Sequence, residues 1–294
     1  MNRIQFYKII SVILLYVGGS EFIPAELLRP NIGGEEKEIL IINSKRRLYY
    51  TVEKKGLTYT VFGPRRLELI SRLPVKNKRK KSHSFTYTII LDESDSIAVQ
   101  HKYFPDKRIR SVQHPNHYVT YSGNYFVNLP AGKHSVRVIP AKDQKIPVLI
   151  RVIGKEFSSD SDTKINLVPT AHQSAQHLIT GSREIEYYEL NSRIPLQVTA
   201  NGPGLLKITS RLEFETWMGS EEVYRLKVTK GKKVIGTYYF TSERSTDATI
   251  KELPDRVPAK WRTCEIEVPK GQQTYNISLL EKDRTALLRF TEYK

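Results

Sequence analysis

The feature that most constrains the fold of this 294-residue sequence is an internal repeat at an offset of 139 residues. Residues 57–73 align without gaps on residues 196–212, with eight identities in seventeen positions. Residues 127–138 align on residues 266–277 at the same offset and share a proline and a glycine. A repeat of this length indicates two copies of one domain on a single chain.

Apolar residues alternate with polar ones in both copies, which is typical of half-buried strands. Leu67, Leu69 and Leu73 show the pattern in the first copy, and no convincing stretch has a helical period of 3.6. The sequence therefore predicts an all-β protein of two tandem homologous antiparallel β-sandwich domains, immunoglobulin-like or jelly-roll in type. The predicted division is a signal peptide at 1–20, a basic repeat at 38–157, a polar linker at 158–175 and a second repeat at 176–294.

Two kinds of glycine–proline motif recur in both copies. Gly63-Pro64 stands just before an alternating run, and its counterpart is Gly202-Pro203. Because proline lacks the N–H that a sheet interior demands, we expect each motif to interrupt the chain before a strand.

The second motif is a proline followed two residues later by glycine, which fits a type I turn. We expect such hairpin turns at residues 129–132 and 268–271.

The N-terminal segment has the order of residues found in a secretory signal. Arg3 and Lys8 precede an apolar run at 9–17, and small residues follow at 18–20. This order predicts an exported protein, periplasmic or extracellular, with an uncleaved anchor as the alternative. The apolar run is far shorter than the roughly 20 residues that a spanning helix needs, so we expect no membrane span after cleavage.

The only cysteine is Cys264, which excludes an intrachain disulfide. The period-2 pattern places it on one strand face with Ile266 and Val268. We expect a buried, inert thiol.

Positive charge is concentrated in the first copy. The formal net charge is +16, and residues 48–157 hold 20 basic and 8 acidic residues against 18 and 14 in residues 187–294. Five cations lie within six residues of one loop: Lys76, Lys78, Arg79, Lys80 and Lys81. Such a cluster predicts a site for an anionic polysaccharide, a lipid head group or an envelope protein. The alternative is a solvated hairpin tip whose charges prevent edge-to-edge association.

The second copy carries Trp217 and Met218 where the first copy has the basic loop. An aromatic side chain on a turn can contact a sugar or another protein, or it can fold back as a lid on the sandwich. Two arginines recur in the copies, as Arg72 with Arg211 and Arg151 with Arg289. We expect them to pair with carboxylates or carbonyls across the sheet and to have a structural role.

The motifs of the main enzyme mechanisms are absent, and the sequence predicts neither catalytic residues nor a cofactor. His114 and His117 have a spacing that could hold a metal, but a third ligand at a recognised spacing is missing, so no metal site is predicted. Asp92 and Asp95 fit a hairpin turn better than a calcium loop. The sequence thus favours a non-enzymatic exported binding or structural protein. The alternatives are a carbohydrate-binding or adhesion role for the Trp217 loop and, third, an enzyme with converging histidine and carboxylate groups.

Overall fold

The structure is a computed structural model that describes residues 25–76, 81–156 and 163–294. The predicted signal peptide at 1–20 lies outside these residues, as do Lys78, Arg79 and Lys80 of the basic loop. The described residues form 22 strands, named β1 to β22 in chain order, and they include no helix that is long and apolar enough to cross a bilayer. The predicted all-β class is confirmed.

The first module contains twelve strands. They are β1 (Glu26–Leu28), β2 (Lys37–Ile42), β3 (Lys45–Val52), β4 (Leu57–Arg72), β5 (Pro74–Val75), β6 (His83–Leu91), β7 (Asp95–Tyr103), β8 (Pro105–Asp106), β9 (Arg110–Ser111), β10 (Tyr118–Thr120), β11 (Gly123–Pro140) and β12 (Val148–Lys155). Antiparallel pairing runs in the order β9-β2-β3-β12-β4-β11-β6-β7, and β1 adds to β12. Strands β5, β10 and β8 form a separate small sheet.

The second module contains the remaining ten strands. They are β13 (Lys164–Leu167), β14 (Ala175–Thr180), β15 (Arg183–Asn191), β16 (Leu196–Phe214), β17 (Glu221–Lys230), β18 (Lys233–Glu243), β19 (Ala248–Ile250), β20 (Val257–Pro258), β21 (Arg262–Leu279) and β22 (Thr285–Tyr293). The order of antiparallel pairing is β19-β14-β15-β22-β16-β21-β17-β18, and β13 adds to β22.

The two modules have the same strand order, so each strand of this series in one has a counterpart in the other. Strands β4 and β16 begin 139 residues apart, as do β11 and β21. The chain is thus two tandem homologous antiparallel β-sandwich modules, as the repeat predicts. The exact boundaries stay a prediction. Strand β13 falls within the predicted linker at 158–175 but pairs with β22, so this part of the linker belongs to the second sheet.

The predicted strand interruptions and hairpin turns are wrong. Strand β4 continues through Gly63, and β11 continues through the segment that begins at Leu129 and ends at Gly132. The two irregular segments face each other across the β4–β11 pair, where the register shifts. A Cβ atom on Gly63 would lie 1.7 Å from the carbonyl oxygen of Pro130, so only glycine fits there. The motifs therefore mark one shared bulge between two long strands, and β16 and β21 repeat it.

Each module encloses its own apolar core. Tyr59 and Tyr87 are among the largest fully buried side chains of the first core, and Tyr224 and Phe290 of the second. Cys264 belongs to the second core, and burial raises the pKa of its thiol far above the ordinary value. The prediction of a buried cysteine is confirmed.

One strand of each module meets the other in a parallel ladder, which we name the seam. In the seam, Tyr125, Phe126 and Val127 of β11 align with Thr237, Tyr238 and Tyr239 of β18. The Phe126 and Tyr238 rings stack with centroids 4.5 Å apart and planes 9° from parallel. Such a stack adds to the burial of the two rings. The seam therefore joins the two sandwiches through one continuous sheet.

The cores exchange side chains at the seam. Phe126 comes from the first module but packs in the second core, and Tyr239 comes from the second module but packs against the first core. Gly236 makes room for this exchange, because a Cβ atom there would lie 2.2 Å from the Phe126 ring. The two modules are thus fixed by interlocked packing as well as by backbone hydrogen bonds.

A buried ion pair closes the seam beside the aromatic stack. Arg66 donates to the carbonyl oxygen of Glu265 at 3.0 Å and lies 3.6 Å from the Glu265 carboxylate. Asn128 donates to the carbonyl oxygen of Thr263 at 2.8 Å. These side chains satisfy carbonyls on the edge of β21 that backbone pairing leaves open.

Truncating the central ring of the seam should destabilise the whole chain. We expect Phe126→Ala to lower the free energy of unfolding by about 3–5 kcal/mol, because it leaves a cavity in the second core and removes the stack on Tyr238. The measurement is urea denaturation followed by circular dichroism. Phe62 is 67% exposed, and Phe62→Ala is the matched control, with an expected change within about 0.5 kcal/mol. Equal effects of the two substitutions would contradict the proposed importance of the seam.

His101 is an uncharged histidine in the first core. Its ring packs against Phe85 at 5.4 Å and Tyr103 at 5.7 Å, and its Nε2 has no hydrogen-bond partner among the described residues. Burial lowers the pKa of His101 to about 4. The unfolded chain, with an ordinary histidine pKa near 6.5, takes up the proton first. The stability due to neutral His101 is therefore complete above about pH 6.5 and is lost as the pH falls toward 4.

This pKa difference makes a testable contribution to acid sensitivity. Between pH 7 and pH 5, His101 should account for a loss of about 2 kcal/mol in the free energy of unfolding. Replacement by glutamine removes the titrating group, so His101→Gln should flatten the pH dependence by this amount in urea titrations at the two pH values. His117→Gln, at a partly exposed position, is the control and should keep the wild-type slope. An unchanged slope in His101→Gln would show that other groups carry the effect.

Candidate functional site

Two clefts open at the two ends of the seam, and both are lined by residues of both modules. The first, which we name the basic cleft, has a volume of about 870 Å³. Its lining includes Asn43, Arg108, Lys155, Lys232, Lys233 and Tyr238. The second, which we name the tryptophan cleft, has a volume of about 880 Å³. Its lining includes Asp95, Asn128, Glu221, Tyr239, Asp247 and Trp261. Volumes of this size are typical of small-ligand sites.

The carboxylates of the basic cleft are already paired with cations. Asp106 lies 2.9 Å from Arg108, and hydrogen bonds from Arg108 lower the pKa of Asp106. Lys155 lies 3.3 Å from Glu68 and 3.7 Å from Glu267. Glu265, the other carboxylate of this cleft, pairs with Arg66 in the seam. Ligand binding here would therefore depend on the cations left over.

The unpaired cations of the basic cleft come from a hairpin of the second module. Lys232 and Lys233 lie at the exposed turn between β17 and β18, and neither forms an ion pair within the described residues. On the facing module, the turn at Asn43 leads into Lys45, Arg46 and Arg47, which are exposed. Lys232 and Lys233 are thus exposed cations of the cleft that no carboxylate neutralises.

The basic loop predicted from the sequence ends near this cleft. Lys76 and Lys81 are exposed, and the residues between Lys76 and Lys81 lie outside the described part of the chain. Two residues after Lys81, His83 pairs with Tyr103, which lines the basic cleft. Two residues of extended chain span at most about 7 Å, so Lys81 lies near the rim of the cleft. Lys81 thus adds an exposed cation beside the cleft.

The second predicted contact, Trp217 with Met218, lies on a turn, and neither residue lines either cleft. Met218 is buried in the second core, so it offers no contact surface. Trp217 is 56% exposed, but its indole N–H donates to Glu215 at 2.8 Å and Arg284 lies 5.9 Å from the ring centroid. Of this pair, only the Trp217 ring remains available to a partner.

The duplicated arginines make the carbonyl contacts that the sequence predicts. Arg72 donates to the carbonyl oxygen of Thr120 at 2.7 Å, and Arg211 donates to that of Ala259 at 2.8 Å. The acceptors are 139 residues apart, like the donors. Arg151 donates to the carbonyl oxygen of Leu48, whereas Arg289 donates to the side chain of Asn166. The first pair therefore keeps one structural contact in both copies.

The histidine pair considered as a metal site is held by a carboxylate. Nδ1 of His114 lies 3.0 Å from the carboxylate of buried Glu38, and the rings of His114 and His117 stack at 5.0 Å. Within the described ranges, no group of three histidine, cysteine or acidic side chains is arranged to hold a metal. Asp92 lies at the β6–β7 turn with positive φ, so the turn interpretation is confirmed.

Sequence patterns alone miss both clefts. Trp261 is 59% exposed in the tryptophan cleft, yet it lies alone between Lys260 and Arg262 without a motif. Comparison of the copies at offset 139 could have identified it, since the first copy has Ser122 at the equivalent position. Lys232 and Lys233 are separated from the basic loop by more than 150 residues in the sequence, so only the fold brings them near it.

No protein-family model matches the chain, and a search of curated proteins finds no match. Solved structures align over most of its length at low identity. The tandem family 51 carbohydrate-binding modules of a family 98 glycoside hydrolase from Streptococcus pneumoniae share 11% identity, with 91% of this chain and 93% of that chain covered and a TM-score of 0.23. The tandem family 22 modules of Xyn10C from Paenibacillus barcinonensis share 8% identity, with 94% of this chain and 100% of that chain covered and a TM-score of 0.24. The ANX2 ectodomain from Arabidopsis thaliana shares 9% identity, with 84% of this chain and 83% of that chain covered and a TM-score of 0.24. At TM-scores this low, the likeness says nothing about what this chain binds.

Proposed function

We propose that this is an exported, non-enzymatic binding protein that holds an anionic polysaccharide in the basic cleft. The observation that carries the proposal is the presence of uncompensated lysines at the opening. Lys232 and Lys233 line the cleft and form no ion pair within the described residues, whereas Arg108 on the facing module is paired with Asp106. Positive side chains around a concave surface concentrate anionic ligands and speed their association.

Pairing within the cleft favours binding over acid–base chemistry. General acid–base catalysis needs a titratable group that is free to reach the substrate. Glu68, Asp106, Glu265 and Glu267 each lie within 4 Å of a cation in ion pairs. Their neutralisation leaves the lysines as the uncompensated charges, which suits capture of an anion.

The shape of the positive surface favours a polymer over a membrane. Lys232 and Lys233 lie on the wall of a cleft of about 870 Å³, and the exposed Lys81 lies near its rim. A segment of an acidic sugar chain can enter such a concave site, whereas a lipid surface contacts protruding groups. The cleft lining also includes Tyr121, which is 44% exposed and whose apolar ring face suits a sugar ring.

Charge removal within the cleft tests the proposal. We expect Lys232→Gln with Lys233→Gln to elute from a heparin column at lower salt than the wild type, because retention depends on screened charge–charge attraction. The matched control replaces Lys142 and Lys145 by glutamine. These exposed lysines lie in the loop between β11 and β12 and do not line the cleft. The control should elute close to the wild type, and equal losses in both variants would contradict a site at the cleft.

Replacing all five loop cations at positions 76, 78, 79, 80 and 81 by glutamine tests the loop. If the loop shares the site, this variant combined with the Lys232 and Lys233 substitutions should lose more retention than either alone.

Export is tested separately from binding. The residues at 1–20 have the signal pattern, so protein recovered outside the cytoplasm should begin near residue 20 when sequenced from its N-terminus. Retention in the cytoplasm with Met1 in place would contradict export and leave the binding proposal unchanged.

A further inference from the structure

The tryptophan cleft differs from the basic cleft in its chemistry. It lies at the other end of the seam, and its lining combines an exposed indole, carboxylates and guanidinium groups. We propose that the tryptophan cleft is a second ligand site, which binds a saccharide with one sugar ring stacked on Trp261. This site is independent of the proposed polyanion site and of the predicted Trp217 contact.

Trp261 has a fixed backbone and a free ring. Its carbonyl oxygen accepts from Arg262 Nη1 at 3.1 Å, and Arg262 Nε donates to the carbonyl oxygen of Thr241 at 2.6 Å. On the other side, Lys260 lies 2.6 Å from Glu243. Within the described residues, the Trp261 ring has neither a hydrogen bond nor a ring contact, and 59% of the residue is exposed. An exposed flat apolar surface of this kind suits the apolar face of a sugar.

Three carboxylates supply hydrogen-bond acceptors around the indole. Asp95, Glu221 and Asp247 line the cleft, and none forms an ion pair within the described part of the chain. Burial raises the pKa of Tyr239, and the negative charges of Asp95 and Glu221 raise it further. The Tyr239 hydroxyl therefore keeps its proton and remains a donor.

Donors stand among these acceptors. Arg211 is buried and donates to the Ala259 carbonyl, and Arg262 donates to carbonyls, so neither charge is cancelled by a carboxylate at hydrogen-bond distance. Asn128 donates through Nδ2, while its Oδ1 has no partner among the described residues. Each sugar hydroxyl both donates and accepts, so a lining of mixed donors and acceptors matches it.

The mixed charge of the lining also argues against two other ligand classes. An anion would meet the carboxylates of Asp95, Glu221 and Asp247, and a cationic peptide would meet Arg211 and Arg262. A charged ligand is repelled by the lining groups that carry its own sign of charge. Carboxylates and guanidinium groups both form good hydrogen bonds with neutral hydroxyls. A neutral or N-acetylated saccharide therefore fits the site best.

The test compares the two tryptophans of the chain. The full-length wild type, Trp261→Ala and Trp217→Ala are titrated on an array of neutral, N-acetylated and uronic-acid oligosaccharides. We expect the wild type to bind a neutral or N-acetylated probe and Trp261→Ala to bind it at least about tenfold more weakly, because the stacking surface is lost. Trp217→Ala should bind within about twofold of the wild type. Since Trp261 is then the sole tryptophan, its fluorescence should change on addition of the same probe.

Three results would overturn the proposal. They are wild-type affinity in Trp261→Ala, the absence of binding to any probe on the array, and Trp261-dependent binding of a lysine-rich peptide but of no saccharide. Thermal unfolding should give the wild-type midpoint for Trp261→Ala, because the side chain is exposed. The variant with Lys232 and Lys233 replaced by glutamine should keep saccharide binding, which separates this site from the polyanion site.

Discussion

Strand β11 has an edge whose N–H and C=O groups need partners, and the parallel pairing with β18 provides them. An unpaired buried edge would be costly, so this ladder fixes where the second module lies. Phe126 and Tyr239 then cross between the cores and fix the rotation about the ladder. Both clefts exist because two sandwiches that are joined at a short ladder leave open space at each end of it.

Duplication made the fold predictable from the sequence. Identities at offset 139 are concentrated where the backbone is most constrained, as at Gly63 and Gly202. The same residues caused the error about turns. Pro130 with Gly132 satisfies the local rules for a type I turn, and local rules contain no information about the strand opposite. Only the facing Gly63 shows that the segment is a bulge within a continuous strand.

The candidate sites could be predicted only in part. Charge counting found the basic loop because its cations are adjacent in the sequence. The fold brings Lys232 and Lys233 into the basic cleft and places Trp261 in the tryptophan cleft, and neither placement can be inferred from the neighbouring sequence. Arg66 and Glu68 were missed for another reason. Strand alternation predicts an outward face, but the other module covers that face and buries both side chains. The pattern of residues within one module gives no information about contacts between modules.

The seam uses residues that differ between the copies. Phe126 of the first copy corresponds to Glu265 of the second, and Arg66 corresponds to Leu205. Tyr238 of the second copy is equivalent to Val99 of the first. Their strand partners, Leu226 and Tyr87, are equivalent as well. The equivalent edge of the second copy, β21 at Glu265, is not free for a second docking of this kind, because Arg66 and Asn128 of the first module donate to its carbonyls and Glu265 is buried. Head-to-tail contacts of one kind can otherwise propagate without limit. The seam thus joins two modules within a chain and covers the edge on which a neighbouring chain could repeat the docking.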